Sequence, residues 1–237
     1  MALTAILHQN SRLEPRRNID RALPKHVREE EHLPYKLREM WRYIVESYTE
    51  RCFSFAADRL LAIQGVIDFL GHRFDNDRCY FGVWKSIAVG CLLWTVHEDQ
   101  PGGTRVLTVP TWSWLSVSHA VDMDNLELFG SYLGDAIVEF DEAYTQQIIV
   151  TCAVVPVSEM ADDELEYWLD LADEYDEDLR DEWTNRFALV MAETSNGTVL
   201  GMVTVRREDG VHMRRGVTEI NNADAWLARP KETVVLE

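Results

Sequence analysis

Four of the eight tryptophans, Trp84, Trp94, Trp112 and Trp114, fall between Cys79 and Val117. A tryptophan buries a large apolar ring and usually brings an indole N–H that needs an acceptor. Four in so short a span form either the wall of a core or the lining of a pocket, and they constrain the fold more than any other feature. In Trp112-Ser113-Trp114 the spacing of two puts both rings on one face of an extended strand, with Ser113 on the other. Pro110 suits the start of such a strand, where no ladder N–H is lost.

The rest of the chain arranges itself around this stretch. Residues 1–33 are polar and broken by Pro15 and Pro24, with Pro34 just beyond. They read as an extended or partly disordered N-terminal arm, with a short helix over 25–31. From Tyr35 onward, Leu37, Met40, Trp41, Ile44, Val45 and Tyr48 fall at helical spacing. A second helix follows, opened by Ser54 or by Ala56-Ala57-Asp58 and striped with Leu60, Ile63, Ile67 and Leu70, with Gly71 as its C-cap. Trp84–Leu93 reads as a short helix running into a strand at Leu93–Val96. Val106–Val109, Trp112–Val117, Leu126–Leu133, Ala136–Phe140 and Gln147–Val157 read as extended. Phe187–Ala192 and Val199–Val205 flank a Ser195-Asn196-Gly197 turn, a hairpin signal. Met213–Glu219 and Thr233–Leu236 complete the strands. The fold class is α+β: a β-rich body, barrel- or sandwich-like and mainly antiparallel, with two or three packed amphipathic helices. Residues 34–237 form one domain.

The net charge of −18 is concentrated. Glu159–Trp183 holds thirteen acidic residues against Arg180 alone, a local charge of −12. Leu165, Trp168, Leu169, Ala172, Tyr175 and Leu179 keep helical spacing there, which predicts an acidic amphipathic helix over 160–183. Its charged face reads as solvated, since it lacks the spaced ligands and central glycine of a calcium loop. Phosphate binding needs a basic face, so nucleic acid is not an expected partner. No apolar run approaches the length that spans a bilayer. Cys52, Cys79, Cys91 and Cys152 show neither paired nor metal-ligand spacing, and no secretory signal opens the chain. Reduced cysteines in a cytoplasmic protein are the expectation.

Five segments resemble a known family. Met40-Trp41-Arg42-Tyr43-Ile44-Val45-Glu46-Ser47-Tyr48-Thr49-Glu50-Arg51, Ala57-Asp58-Arg59-Leu60-Leu61-Ala62-Ile63-Gln64-Gly65 and Tyr80-Phe81-Gly82-Val83-Trp84 are three of them. Cys91-Leu92-Leu93-Trp94 and Val109-Pro110-Thr111-Trp112-Ser113-Trp114-Leu115-Ser116 are the others. In this order they resemble the region downstream of the HET domain in fungal heterokaryon-incompatibility proteins. The HET domain itself has no counterpart here, and the family supplies no catalytic residues to carry over. The resemblance implies a stand-alone copy of the downstream module. By analogy with cofactor-free cyclases of fungal secondary metabolism, such a module could shape a small molecule.

The residues themselves carry no dinucleotide or P-loop glycine pattern, no zinc-protease helix and no nucleophile elbow. No cofactor and no metal is implied. A unimolecular cyclisation needs little functional-group chemistry: a shaped pocket removes an entropy barrier, and one donor polarises a carbonyl. On that reading the enzyme is a cofactor-independent cyclase, of intramolecular Diels–Alder type, acting on an apolar terpenoid-like substrate. Tyr80, Trp84, Trp94, Trp112, Trp114 and Tyr132 would wall the pocket. His119, Arg59 or Ser113 would donate. The alternative is a non-enzymatic, HET-related recognition or regulatory module that binds a protein partner, with the tryptophans as filled core.

Overall fold

A computed structural model describes residues 29–51, 58–74, 77–97, 104–124, 133–134, 136–142, 146–160, 165–171, 185–194, 197–220 and 224–237. Pro34–Glu237 forms one compact unit. In chain order the elements are helices α1 (Glu29–Thr49) and α2 (Asp58–Arg73), then strands β1 (Cys79–Tyr80) and β2 (Val83–Trp84). A helical turn α3 (Ala88–Cys91) leads to β3 (Thr95–Val96), β4 (Val121–Asp122), β5 (Leu133–Gly134) and β6 (Ile137–Phe140). The body follows: β7 (Ile148–Pro156), β8 (Leu165–Leu169), β9 (Arg186–Glu193), β10 (Val199–Arg206) and β11 (His212–Ile220). A helical turn α4 (Asp224–Leu227) precedes β12 (Lys231–Leu236).

The body is a mainly antiparallel eight-stranded sheet that closes on itself. Its order is β5-β9-β10-β11-β12-β7-β6, with β8 on β11, and β9 also pairs with β7. Strands β7, β9, β10, β11 and β12 thereby form a ring, in chain order around the circumference. The register slips between Leu200 and Gly201 on one side of β10 and between Val203 and Thr204 on the other. Such bulges bend and twist a strand, which is what closure needs. The narrowest seam is the parallel contact of β11 with β12, one residue pair, His212 with Leu236, extended by the Glu237 N–H donating to His212 O at 3.0 Å. Val155, Ala188, Val190, Val199 and Ile220 pack inside, and Trp226 and Leu227 of α4 pack against them. Closure also removes exposed sheet edges.

The opposite face of these strands carries buried polar groups. His212 is buried, 2.9 Å from Thr204 Oγ1 through Nδ1 and edge-on to the Phe187 ring. Burial, and then the nearby charge of Arg206, pushes its pKa down to about 4.

The two helices form as their periodicity demands. Leu37, Trp41, Ile44, Val45 and Tyr48 are the buried face of α1, and Ile63, Val66, Ile67 and Leu70 that of α2. Asp58 in the first turn of α2 and His72 and Arg73 in the last suit the helix dipole.

Five expectations need correction. The first helix begins at Glu29 rather than Tyr35 and runs through Pro34, which lies early enough to cost one backbone bond. Gly71 is inside α2, which continues to Arg73. Residues 106–109 form a turn and a bend rather than a strand. Trp112–Val117 is also not a strand: the chain turns after Pro110 and enters a single 3-10 turn at Trp114–Ser116. Finally, 165–169 is the strand β8, paired antiparallel with Gly216–Ile220, not part of a helix over 160–183. Leu-Glu-Tyr-Trp-Leu satisfies a period of two as well as one of 3.6, and the available edge of β11 decides between them. Gly216 makes that pairing possible, because a Cβ there would collide with the Trp168 carbonyl. Residues 172–184 lie outside the described residues, as do 1–28 and 125–132.

Candidate functional site: a closed tryptophan knot beside an open groove

The tryptophan stretch converges on the turn between β1 and β2. Phe81 and Gly82 both have positive φ, 46° and 83°. A two-residue hairpin turn with both central residues left-handed matches the twist of its strands. It also turns the Phe81 and Gly82 carbonyls toward the interior groups that use them. Gly82 O accepts the indole N–H of Trp41 at 3.0 Å and that of Trp114 at 2.9 Å. Phe81 O accepts the Ser113 hydroxyl at 2.6 Å. A Cβ at Gly82 would overlap the Trp114 ring, so the position requires glycine on two counts.

From that turn two aromatic wings spread. On one side Trp41 meets Trp84 edge-on at 5.5 Å and Trp114 at 6.2 Å, and Tyr48 meets Trp114 at 6.0 Å. On the other, Trp112 meets Phe81 at 6.0 Å and Phe140 at 6.3 Å, and Tyr80 stacks on Phe140 at 4.4 Å. Trp94 donates to Trp112 O, and Trp112 to Gln146 O, each at 3.1 Å. Trp112 and Trp114 therefore point into different wings, as a 3-10 turn dictates and a strand would not. The Trp84 N–H, fully buried, has no acceptor among the described residues.

The five segments of the family resemblance thus assemble into one knot. Trp41, Gly82, Trp94, Trp112 and Trp114 are its members, and Arg59 ties in the remaining segment. Arg59 donates to Val117 O, and its own carbonyl accepts the Tyr48 hydroxyl at 2.5 Å. Burial pushes the Tyr48 phenol up to about 12 and lowers Arg59.

Trp41, Trp84, Trp94, Trp112 and Trp114 are each 0% exposed. A ring that a water-sized sphere cannot touch borders neither solvent nor a void. Four of the six expected wall residues are therefore packed core. Tyr80 is half-buried by its stack, and Tyr132 lies outside the described residues. The three expected donors do not converge on a hollow either. Ser113 donates to Phe81 O and accepts the Leu115 N–H at 3.0 Å, capping the 3-10 turn. Arg59 ties α2 to Val117. His119 is 5% exposed in the loop before β4.

Two further features were not visible as motifs. The first is a buried ion triad behind the knot. The Arg214 guanidinium lies 3.6 Å over the Trp94 ring and donates to Leu92 O and Trp94 O. It pairs with Asp170 through Nε at 3.2 Å and Nη2 at 3.0 Å, and Arg105 reaches the same carboxylate at 3.2 Å. Arg214 and Asp170 are 0% and 1% exposed. Thr111 sits beside them: its hydroxyl accepts the Arg214 N–H at 3.0 Å and donates to Glu237 O. The triad fastens the knot to the barrel. A signal existed in His212-Met213-Arg214-Arg215, where strand alternation puts His212 and Arg214 on one face.

The second feature is a groove of about 300 Å³ on the outer side of the same loop. Arg105, Arg207 and Arg215 line it together with Glu237, while Val109, Pro110 and Met213 give it apolar surface. Leu107, also in the lining, is 93% exposed. The guanidiniums come with carboxylates of the chain itself: Arg105 is held by Asp170, and Arg207 by Glu237 and Asp209. Arg207 meets Glu237 at 2.9 Å and Asp209 at 2.6 Å.

Other chemistry is muted. Among the described residues, Glu46, Asp122 and Asp124 bring carboxylate oxygens within 4.8 Å of one another. Arg42 lies 2.8 Å from Asp124 and 3.8 Å from Glu46 and offsets their charge, while burial raises the Glu46 carboxyl. Burial pushes the Cys91 thiol up to about 12 and Cys79 well above its ordinary value, so neither is a ready nucleophile. Among the described residues no helix is long and apolar enough to cross a membrane. Compared with known proteins, the chain matches no family model, no curated protein and no solved structure.

Proposed function

We propose that the chain is a recognition module related to the region downstream of the HET domain, and that it binds a protein partner rather than catalysing a cyclisation. One observation carries this reading: the indoles that were to wall a substrate pocket are sealed, whereas a charged groove on the same loop is open. A cyclase needs an enclosed space that folds its substrate away from water. Among the described residues the knot offers none beside Trp112 and Trp114, whose rings are fully buried. Recognition surfaces instead combine arginine with exposed apolar side chains around a rigid support. The groove has both, and the knot and the ion triad hold it rigid.

The test is a panel of linear polyenes bearing a diene and a carbonyl-activated alkene, incubated with the purified chain. Recognition predicts no rate enhancement for any of them. It also predicts cross-linking to a defined partner in an extract of the source organism. Turnover of any polyene contradicts it and returns the cofactor-independent cyclase.

A further inference from the structure

We infer that the outward face of α2 is a self-association surface, on which two copies of this chain pair their α2 helices antiparallel about Gly65. That surface shares no residue with the groove and does not depend on the recognition reading. The inner face of α2 buries Ile63, Val66, Ile67 and Leu70. The outer face is apolar as well: Leu61 is 76% and Phe69 49% exposed, with Ala62 and Gly65 exposed between them. Leu61, Gly65 and Phe69 stand four residues apart, so they form one stripe along the helix. A helix apolar on both sides belongs between two layers. Among the described residues only the inner layer is supplied.

Gly65 is a second sign. A glycine inside a helix lowers its stability relative to alanine. A Cβ at this position would meet nothing within 4 Å, so packing within the chain does not call for glycine. A second helix crossing there does, because the missing side chain lets two backbones approach closely.

The charges on the stripe choose the partner and its direction. Asp58 opens the helix, His72 and Arg73 close it, and all three are exposed. Their side chains are engaged in neither a hydrogen bond nor an ion pair. Asp68, on the flank, accepts from Gln64 at 2.8 Å. A two-fold axis through Gly65 sets Leu61 of one protomer on the partner's Phe69. It sets Asp58 against the partner's His72, with the partner's Arg73 alongside. Each contact occurs twice, so one face completes itself without a second kind of surface. A parallel pair would instead oppose Asp58 to Asp58 and bring the two basic ends together. The helix dipoles favour the antiparallel pair as well. The net charge of −18 on each copy works against association, and one helix pair is a small contact. The dimer is therefore weak, with a Kd of roughly 10–100 μM.

Sedimentation equilibrium of the whole chain in about 0.15 M salt, from about 1 μM to 1 mM, reads the mass. It should rise reversibly from 27.4 kDa toward twice that value. Leu61→Glu and Phe69→Lys should each weaken the dimer at least about tenfold, since each buries a charge against an apolar side chain. Mixed in equal amounts, the two variants should dimerise again. The introduced carboxylate meets the introduced ammonium only in an antiparallel pair, and this rescue excludes misfolding of either variant. Gly65→Leu should weaken the dimer about tenfold or more yet leave the monomer at least as stable to urea, because leucine is the better helix former. Arg73→Glu should weaken it about threefold or more. Lys85→Glu, the same charge change at another exposed position, should leave it within about twofold.

A mass that stays at the monomer value up to about 1 mM would overturn the inference. So would a dimer that survives Leu61→Glu and Phe69→Lys, one that the mixture fails to restore, or one indifferent to Gly65→Leu. Equal effects of Arg73→Glu and Lys85→Glu would remove the charge pairing that sets the direction, and would overturn it too. None of these results bears on the recognition reading, which polyene turnover and partner cross-linking decide.

Discussion

The tryptophan knot and the arginine groove share one loop: residues 105–111 line the groove, and residues 112–114 that follow enter the knot. Trp112 and Trp114 are sealed in the knot, while Pro110, Thr111 and Leu107 reach the groove. The knot is held by directional bonds to two carbonyls of a single strained turn. The groove is held by charges, several of them solvated. Residues of the knot are coupled, so a change in any one is felt throughout. Leu107 on the groove rim stands almost wholly in solvent and can be exchanged almost freely. The five segments of the family resemblance all fall in the knot. They report how this unit is built, and they do not report what it contacts.

The comparison is broken most severely through the triad that joins the two regions. Asp170→Ala would leave Arg214 buried without its counter-charge and should cost about 3–5 kcal/mol, read by urea denaturation. An Arg214→Met, Asp170→Leu double variant should recover much of that loss, because the desolvated charges go together. If the single variant costs nothing, the triad is not the fastening.

Gly82→Ala comes next. The left-handed backbone penalty and the overlap with the Trp114 ring together should cost roughly 2–4 kcal/mol. The same change at Gly197, whose added Cβ meets nothing, should cost only the backbone part. Equal losses at the two positions would mean that the ring is not packed where described.

His212 sharpens the account of the barrel. Its folded pKa lies below the ordinary value near 6.5, so the unfolded chain binds the proton first as pH falls. The neutral imidazole is thus fully tolerated above about pH 6.5, and stability is lost as pH drops from there to about 4. The loss reaches roughly 3 kcal/mol at the lower end. His212→Gln should flatten that part of the stability–pH curve, with the carboxylate contribution left in place.

The smallest effect belongs to the groove. Arg207→Gln, on a side chain 44% exposed, should change stability by less than about 0.5 kcal/mol, read in the same denaturation experiment. A larger loss would show that the groove is part of the knot's support and not a surface built upon it.

Much of the architecture was legible in the sequence. The periodicity of Leu37, Trp41, Ile44 and Tyr48 gave α1, and the apolar runs Phe187–Ala192 and Val199–Val205 on either side of Ser195-Asn196-Gly197 gave β9 and β10. The Trp-Ser-Trp spacing misled, because spacing specifies a face only after the backbone is known to be extended. Pro110 and the Ser113 cap made it a turn. The segment 165–169 misled because its apolar spacing fits a strand and a helix equally, and only the edge of β11 distinguishes them. The groove was illegible for a different reason. Arg105 stands about a hundred residues before Arg207 and Arg215 in the chain and meets them only through the fold. No local pattern encodes that meeting, whereas the knot is written largely in one contiguous stretch.

The most direct measurement is a crystal of this chain pressurised with xenon, which enters apolar voids and reveals them at low occupancy. A closed knot predicts no xenon beside Trp84, Trp94, Trp112 or Trp114. A xenon atom lodged against the Trp112 or Trp114 ring would contradict it.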